Sequence, residues 1–352
     1  MTQPVLVTRT GSVGRITLNR PEALHALNAA MCDIVLRALA EWRDDETVSV
    51  VLVDHAEGTR GFCAGGDIRM LATSGAGDAS EARAFFAAEY RMNVAIKRFP
   101  KPFVAVMDGI TMGGGVGISV HGSHRIATER TVFAMPETGI GLFPDVGGGW
   151  FLPRLRGYLG TWLAITGARL KGADVAAARI ATHFMPSELV PNLKQQLLSA
   201  EYSGGAAEMV GEILSRATHA VAASSFEPHM DTINACFAHD RAEEIAAALA
   251  GDGSDWAKAQ LDVMCTKSPE TIKVALHQLR LGARLERFED NMAMEYRIGW
   301  RKVQSADFIE GVRAVIIDKD NTPVWSPSTL EGVSHEDVAR YFAPLGQDEL
   351  PF

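Results

Sequence analysis

Two carboxylates in this 352-residue chain stand in surroundings unlike a solvated acidic face. Glu137 lies in Phe133-Ala-Met-Pro-Glu-Thr-Gly139, and Asp145 in Gly141-Leu-Phe-Pro-Asp-Val-Gly-Gly-Gly149, both apolar and rich in glycine and proline. Burial in such a place raises a carboxyl pKa, which suits a general base or nucleophile working near neutral pH. Three glycine clusters follow strand-like runs: Gly65-Gly66, Gly113-Gly114-Gly115 and Gly147-Gly148-Gly149. Glycine lets backbone approach a ligand closely, and N–H groups at the start of a helix can stabilise developing negative charge. Two such loops can form an oxyanion hole. Alone, a glycine cluster is equally well a tight turn, and Asp145 could equally cap a helix. Taken together, the residues favour a catalytic reading.

Other chemistries find less support. No glycine cluster continues as Gly-Lys-Ser/Thr, and Gly113-Gly-Gly-Val-Gly117 lacks the GxGxxG spacing of a dinucleotide site. Gly117-Ile-Ser-Val-His121 is not a GxSxG elbow and falls inside a predicted helix, so Ser119 is expected to be structural. His121 and His124 have no carboxylate or cysteine nearby to complete a ligand set, so no metal is expected. Cys63 has no adjacent histidine motif and is expected to be a small buried hydrophobe. With 34 basic and 43 acidic residues and no basic stripe, nucleic acid is not an expected partner.

The four cysteines lie far apart without metal spacing, which suits a reducing compartment. Residues 103–120 carry Asp108 and a glycine run, so they read as strand, turn and helix rather than a membrane span. The N-terminal residues reach strand-like sequence at once, with no signal or transit pattern, and the expected location is the cytoplasm of a bacterium.

The elements that must position these residues follow from periodicity. Val5–Val7 and Arg15–Leu18 read as a hairpin about Gly11-Ser12, and Asn28 can cap a helix running to Trp42. Val48–Val53, Phe103–Val106 and Arg125–Thr128 are short apolar runs of buried strands. Between the first two come a loop, Glu57–Asp67, and a helix, about Glu81–Arg98; a further helix ends near His121. The repeated order is that of an α/β core. Beyond about residue 200, helical spacing dominates, as in Ile272, Leu276, Leu279 and Ala283. We therefore expect a core over 1–200, a mainly helical region over 201–330 and a C-terminal tail over 331–352.

Four ordered motifs resemble the enoyl-CoA hydratase/isomerase (crotonase) superfamily: Ile16-Thr-Leu-Asn-Arg-Pro-Glu-Ala-Leu24, Phe62-Cys-Ala-Gly-Gly-Asp-Ile68, Asp108-Gly-Ile-Thr-Met-Gly-Gly-Gly-Val-Gly117 and Phe133-Ala-Met-Pro-Glu137. The resemblance implies an α/β fold, a crotonase-like spiral of ββα units with a C-terminal helical region. It also implies an acyl-CoA substrate whose thioester carbonyl is polarised by the amides of Gly66 and Gly114.

The run Met135–Leu155, with Phe85–Tyr90, Asp307–Ala314 and Pro323–Pro327, is similar to the branch that hydrolyses 3-hydroxyacyl-CoA thioesters, which implies a role in valine breakdown. By motif position Glu137 and Asp145 are the catalytic pair, and Glu89 is a contact for a substrate hydroxyl. His25, Ala26, Asp67 and Ile68 fall in substrate-binding segments; His25 stands where the family commonly has Asn. Gly117 occupies the place of the first of the two glutamates that hydration uses.

No cofactor is implied beyond the CoA of the substrate. The resemblance leaves open a trimer or a monomer. The alternatives are a hydratase or isomerase, or a non-catalytic acyl-CoA-binding scaffold.

Overall fold

The alternation about Gly11-Ser12 closes as an antiparallel hairpin, β1 (Val5–Thr10) and β2 (Val13–Leu18), with Val5 opposite Leu18 and Thr10 opposite Val13. Gly11 supplies the left-handed turn residue at φ 56°. Asn28 caps the first helix, Ala29–Asp44, by accepting the Met31 N–H at 3.0 Å. A computed structural model describes residues 3–221 and 223–352.

Strands then come in pairs: β3 (Val50–His55) with β4 (Gly61–Cys63), β5 (Phe103–Met107) with β6 (Ile110–Met112), and β7 (His124–Ala127) with β8 (Val132–Ala134). Two short strands follow, β9 (Leu170–Lys171) and β10 (His183–Phe184). The first strand of each pair joins a six-stranded sheet ordered β1-β2-β3-β5-β7-β10, parallel from β2 onward. The second joins a four-stranded sheet ordered β4-β6-β8-β9. Each turn is thus a ββα unit, as the resemblance implied.

Two expectations are corrected. The stretch 57–67 is not loop throughout, because β4 lies within it; three residues are too few to show a period. The strand expected at Val48–Val53 lies instead at Val50–His55. Its polar end is buried because Asp54 is satisfied by Thr17 Oγ1 at 2.8 Å, Arg15 at 2.6 Å and Lys194 at 2.7 Å.

The chain forms two compact units that interleave along the sequence. One comprises the chain up to Gly66, Arg91–Phe133 and Leu170–Ser225. In its core Val13, Val50, Leu52, Val104, Val106 and Ile126 pack against Val190, Leu193 and Leu197 of one helix and Val210, Ile213 and Leu214 of the next.

The other comprises Asp67–Tyr90, Ala134–Arg169 and Phe226–Phe352, and is built from helices. Among the described residues no strand follows Phe184. Within this unit Ile272, Leu276 and Leu279 line the buried side of the helix Pro269–Gly282. The last residues are tied down: the Arg340 guanidinium and the Tyr341 hydroxyl bond the Glu270 carboxylate at 2.8 and 2.9 Å, beside a buried Lys302–Glu270 ion pair.

Candidate active site

In the first unit, β4 and β6 are parallel neighbours, so the loops that follow them leave the same edge of one sheet. β4 runs into Ala64-Gly65-Gly66 and β6 into Gly113-Gly114. Both loops turn where only glycine is at ease, Gly65 at φ 128° and Gly113 at φ 45°. A side chain on Gly115 would put its Cβ 2.2 Å from the Cys63 carbonyl oxygen, so glycine there lets the loops approach. Gly114 opens the helix Gly114–Val120, ahead of the intrahelical ladder. Gly66 bridges Leu27, but that pairing uses the Gly65 carbonyl, which accepts the Leu27 N–H at 2.8 Å. Two backbone amides therefore sit on adjacent loops, as an oxyanion hole requires.

The same unit fixes the segment around His25. Leu24 and His25 both have positive φ, 48° and 59°. The His25 ring accepts the Arg20 N–H at Nδ1 (2.9 Å) and meets Thr59 Oγ1 at Nε2 (2.9 Å). Burial first, then His55, pushes its pKa down to about 4, so the ring is neutral and Nε2 is its donor. The Ala26 carbonyl accepts the Arg20 guanidinium at 3.0 Å. Ser119 donates to the Gly115 carbonyl at 2.7 Å within its helix, and the buried Cys63 thiol donates to the His25 carbonyl at 3.1 Å. His124 stacks on His183 with ring centroids 6.0 Å apart.

The second unit holds the acids. Pro136 leads into the short turn Glu137–Ile140, whose seat is the distant motif at 307–314. A Cβ on Gly141 would fall 2.2 Å from the Asp307 carbonyl oxygen, and one on Gly311 2.4 Å from the Ile140 carbonyl carbon. Asp307 is itself held, accepting the Ser326 N–H at 2.9 Å and the Ser268 hydroxyl.

Glu137 is buried, and its Oε2 has no hydrogen-bond partner. Asp145 is buried and accepts the Tyr90 hydroxyl at 3.0 Å. Its side chain does not cap the following helix, Gly148–Phe151; that place belongs to Gly147. Glu89, one residue before Tyr90, is buried with Oε1 unpartnered. Asp67 caps the helix Ile68–Gly75 through the Met70 N–H (3.2 Å), and Ile68, its first residue, is half-buried.

A fourth acid, Glu295, was not anticipated. It is fully buried on the helix Phe288–Lys302. It accepts the amides of Gly147 (2.7 Å) and Gly149 (2.9 Å) and the side-chain amides of Asn291 (2.8 Å) and Gln278 (3.1 Å). The third glycine cluster thus presents its amides to the protein's own carboxylate. Nothing local in the helix sequence marks Glu295 off from Glu289 or Asp290; the one usable signal is Asn291, four residues earlier and so on the same helical face.

Among the described residues no cation offsets this cluster, and the pKa values move accordingly. Burial, then Asp145, raises Glu137 well above the usual carboxylate range. Burial, then the charges of Asp145, Glu137 and Glu295, does the same to Glu89. Burial pushes Asp145 up to about 7, against the pull of the Tyr90 hydrogen bond. It pushes Glu295 up to about 8, against its amide donors. At neutral pH the four cannot all be ionised. Buried acids that share too few charges in this way are the usual setting for proton transfer.

No helix among the described residues is long and apolar enough to cross a membrane. Residues 13–342 match the family described as "Enoyl-CoA hydratase/isomerase". The rat protein named "3-hydroxyisobutyryl-CoA hydrolase, mitochondrial" is 46% identical over 355 residues, covering 100% of this chain and 91% of its own. The human protein of that name is 45% identical, covering 99% and 91%. Of solved structures, a carnitinyl-CoA dehydratase from Mycobacterium thermoresistibile superposes with a TM-score of 0.93 at 39% identity, over 100% of this chain and 99% of that one. An enoyl-CoA hydratase from Rhodobacter sphaeroides 2.4.1 superposes at 0.89 with 40% identity, over 99% and 100%. This chain belongs to the enoyl-CoA hydratase/isomerase family.

Proposed function

We propose that this protein hydrolyses 3-hydroxyisobutyryl-CoA, or a closely related 3-hydroxyacyl-CoA thioester, to the hydroxy acid and free CoA. The observation that carries the reading is the buried pair Glu137 and Asp145, one with an unpartnered carboxylate oxygen and the other titrating near pH 7. The relatives' names supply the substrate. Against the dehydratase and hydratase names of the solved neighbours stands Gly117, which has no side chain where the resemblance places the first water-holding glutamate.

In this reading the thioester oxygen binds the Gly66 and Gly114 amides, which stabilise the tetrahedral oxyanion more than the ground-state carbonyl. Glu137 takes one of two routes. As general base it removes a proton from water, whose oxygen attacks the carbonyl carbon. As nucleophile its own oxygen bonds to that carbon, the C–S bond breaks, and water later cleaves the mixed anhydride. CoA leaves as a thiolate, whose parent thiol has a pKa of about 8.5, so it needs little acid help. Asp145, its pKa pushed up by burial to about 7, orients Glu137 or the water and relays the proton. Glu89, held neutral by burial, can donate a hydrogen bond to the substrate hydroxyl. His25, Ala26, Asp67 and Ile68 belong to the segments assigned to binding the CoA ester. Among the described residues no cysteine forms a disulfide, which is compatible with the reducing cytoplasm we propose for the enzyme.

The test is thiol release from 3-hydroxyisobutyryl-CoA, with hydration of crotonyl-CoA measured in parallel. Thiol release that collapses in Glu137→Gln supports the reading. Hydration without thiol release overturns it. Incorporation of ¹⁸O from water into the Glu137 carboxylate during turnover identifies the anhydride route with water attacking the Glu137 carbonyl carbon, because general-base catalysis puts that oxygen only into the hydroxy acid.

A further inference from the structure

Asp145 begins a turn that its own sequence does not favour. Val146, β-branched, has φ 50°, a conformation that residues of its type rarely adopt, and Gly147 follows at φ 89°. The turn closes through the Gly148 N–H on the Asp145 carbonyl at 2.7 Å. Such a conformation persists only where the surroundings over-determine it. Here the surroundings are Glu295 and its neighbours. Glu295 Oε2 accepts the Gly147 amide and Oε1 the Gly149 amide, so the two carboxylate oxygens hold two amides of the turn. Gln278 ties the same carboxylate to the Pro144 carbonyl, at 3.1 and 2.8 Å, and so grips the turn on the other side of Asp145. Packing allows no slack: a Cβ on Gly149 would lie 2.6 Å from Asn291 Oδ1, and one on Gly282 1.9 Å from the Gly149 carbonyl oxygen.

We propose that Glu295 is a positioning residue for Asp145: its carboxylate clamps the Gly147 and Gly149 amides, holds the left-handed turn at Val146, and so fixes where the Asp145 carboxylate stands. The inference rests on the hydrolytic role given to Asp145 above. The carboxylate form is the one this site selects, because four N–H donors converge on the two oxygens and oppose the upward pull of burial; an amide of the same shape accepts with one atom only and turns its N–H₂ against a donor. The groups that share this environment and bear on the titration of Asp145 are Tyr90, Glu89, Glu137 and Glu295 itself.

The experiment compares wild type, Glu295→Gln, Gln278→Leu and Lys302→Met in thiol release from 3-hydroxyisobutyryl-CoA across pH 5.5 to 9. Selective ¹⁵N-glycine spectra and thermal unfolding are recorded alongside. Lys302→Met is the control for general destabilisation. The clamp requires kcat of Glu295→Gln to fall about 10- to 100-fold, as when outer-shell support is removed from metal ligands, with KM little changed. The pH–rate limb near 7 should move, and two glycine amide resonances should shift. Gln278→Leu should show the same pattern more weakly, and it decides the matter if Glu295→Gln does not fold. A kcat and pH profile like those of wild type, in whichever of the two variants folds, overturns the proposal, as does a kcat loss that Lys302→Met reproduces. Wild type without thiol release points instead to failure of the hydrolase reading, and the glycine spectra then still report whether Glu295 holds the turn.

Discussion

Two buried carboxylate sites in the helical unit share their burial and differ in one respect. Glu270 is buried, and burial alone would raise its pKa, yet Lys302, Tyr341 and Arg340 hold it below the usual range. Glu137 is equally buried, with no cation beside it among the described residues, and its pKa rises well above that range. A buried acid with a cation and a full set of hydrogen bonds ties elements together, here the helices Pro269–Gly282 and Phe288–Lys302 with the C-terminal residues 340–341. A buried acid without them costs folding free energy, and such a cost is ordinarily kept where the acid has chemistry to perform. The comparison separates structure from function more cleanly than burial or acidity alone.

The largest expected effect comes from breaking the uncompensated side. Glu137→Gln should lower kcat for thiol release by about 10³-fold, within the range for a positioned general base, while the fold survives because no cation is left unpaired. Steady-state kinetics together with circular dichroism checks both halves. On the compensated side, Lys302→Met removes the buried cation and leaves Glu270 to Arg340 and Tyr341, so it should destabilise by less than the roughly 3–5 kcal/mol of a fully broken buried pair, with kcat of the folded fraction unchanged. Urea unfolding measures the first and activity per folded molecule the second. If Lys302→Met cost nothing in stability but abolished turnover, the assignment of the two sites would be reversed.

A smaller effect concerns pH. Asp145 serves as carboxylate in the proposed reaction, so kcat/KM should rise as pH increases through about 7 and level off above it. In Asp145→Asn the limb near 7 should disappear, leaving a low rate whose remaining pH dependence is that of Glu137, which must also be ionised to act.

Much of this site was legible in the sequence, and the part that was not has a physical reason. Glu137, Asp145 and the Gly66 and Gly114 loops were visible because their neighbours are locally diagnostic: glycine where φ is positive or backbones touch, apolar residues around an acid. The three glycine clusters nevertheless read alike. Gly65-Gly66 and Gly113-Gly114-Gly115 carry two amides on adjacent parallel strands, whereas the amides of Gly147 and Gly149 are taken by Glu295, nearly 150 residues away. Which use a glycine loop serves depends on whether a buried acceptor reaches it in three dimensions, and no local pattern records that. The same limit applies to the short strands. β4 and β6 have three residues each, too few for a period, and the buried end of β3 was hidden by Asp54 and His55, whose partners come from elsewhere in the chain.

The smallest expected effect is the one that tests the comparison most directly, because it predicts opposite signs for the two sites. Glu137 has its folded pKa raised above the unfolded value of about 4.3, so its contribution to stability is present below that value and is lost as pH rises towards the folded pKa. Replacing it with Gln removes that loss. Glu137→Gln should therefore match wild type in thermal stability near pH 4 and become the more stable of the two as pH increases from 5 to 8. Glu270 has its folded pKa depressed, so its contribution is present above the unfolded value and is lost as pH falls through the folded pKa. For Glu270→Gln the stability deficit should accordingly be widest at neutral pH and shrink under acid. Thermal melts of both variants and wild type across pH 4 to 8 give two difference curves that slope in opposite directions. Parallel curves would mean that Glu137 is compensated in solution by a partner of its own, and the argument that its burial is retained for chemistry would fail.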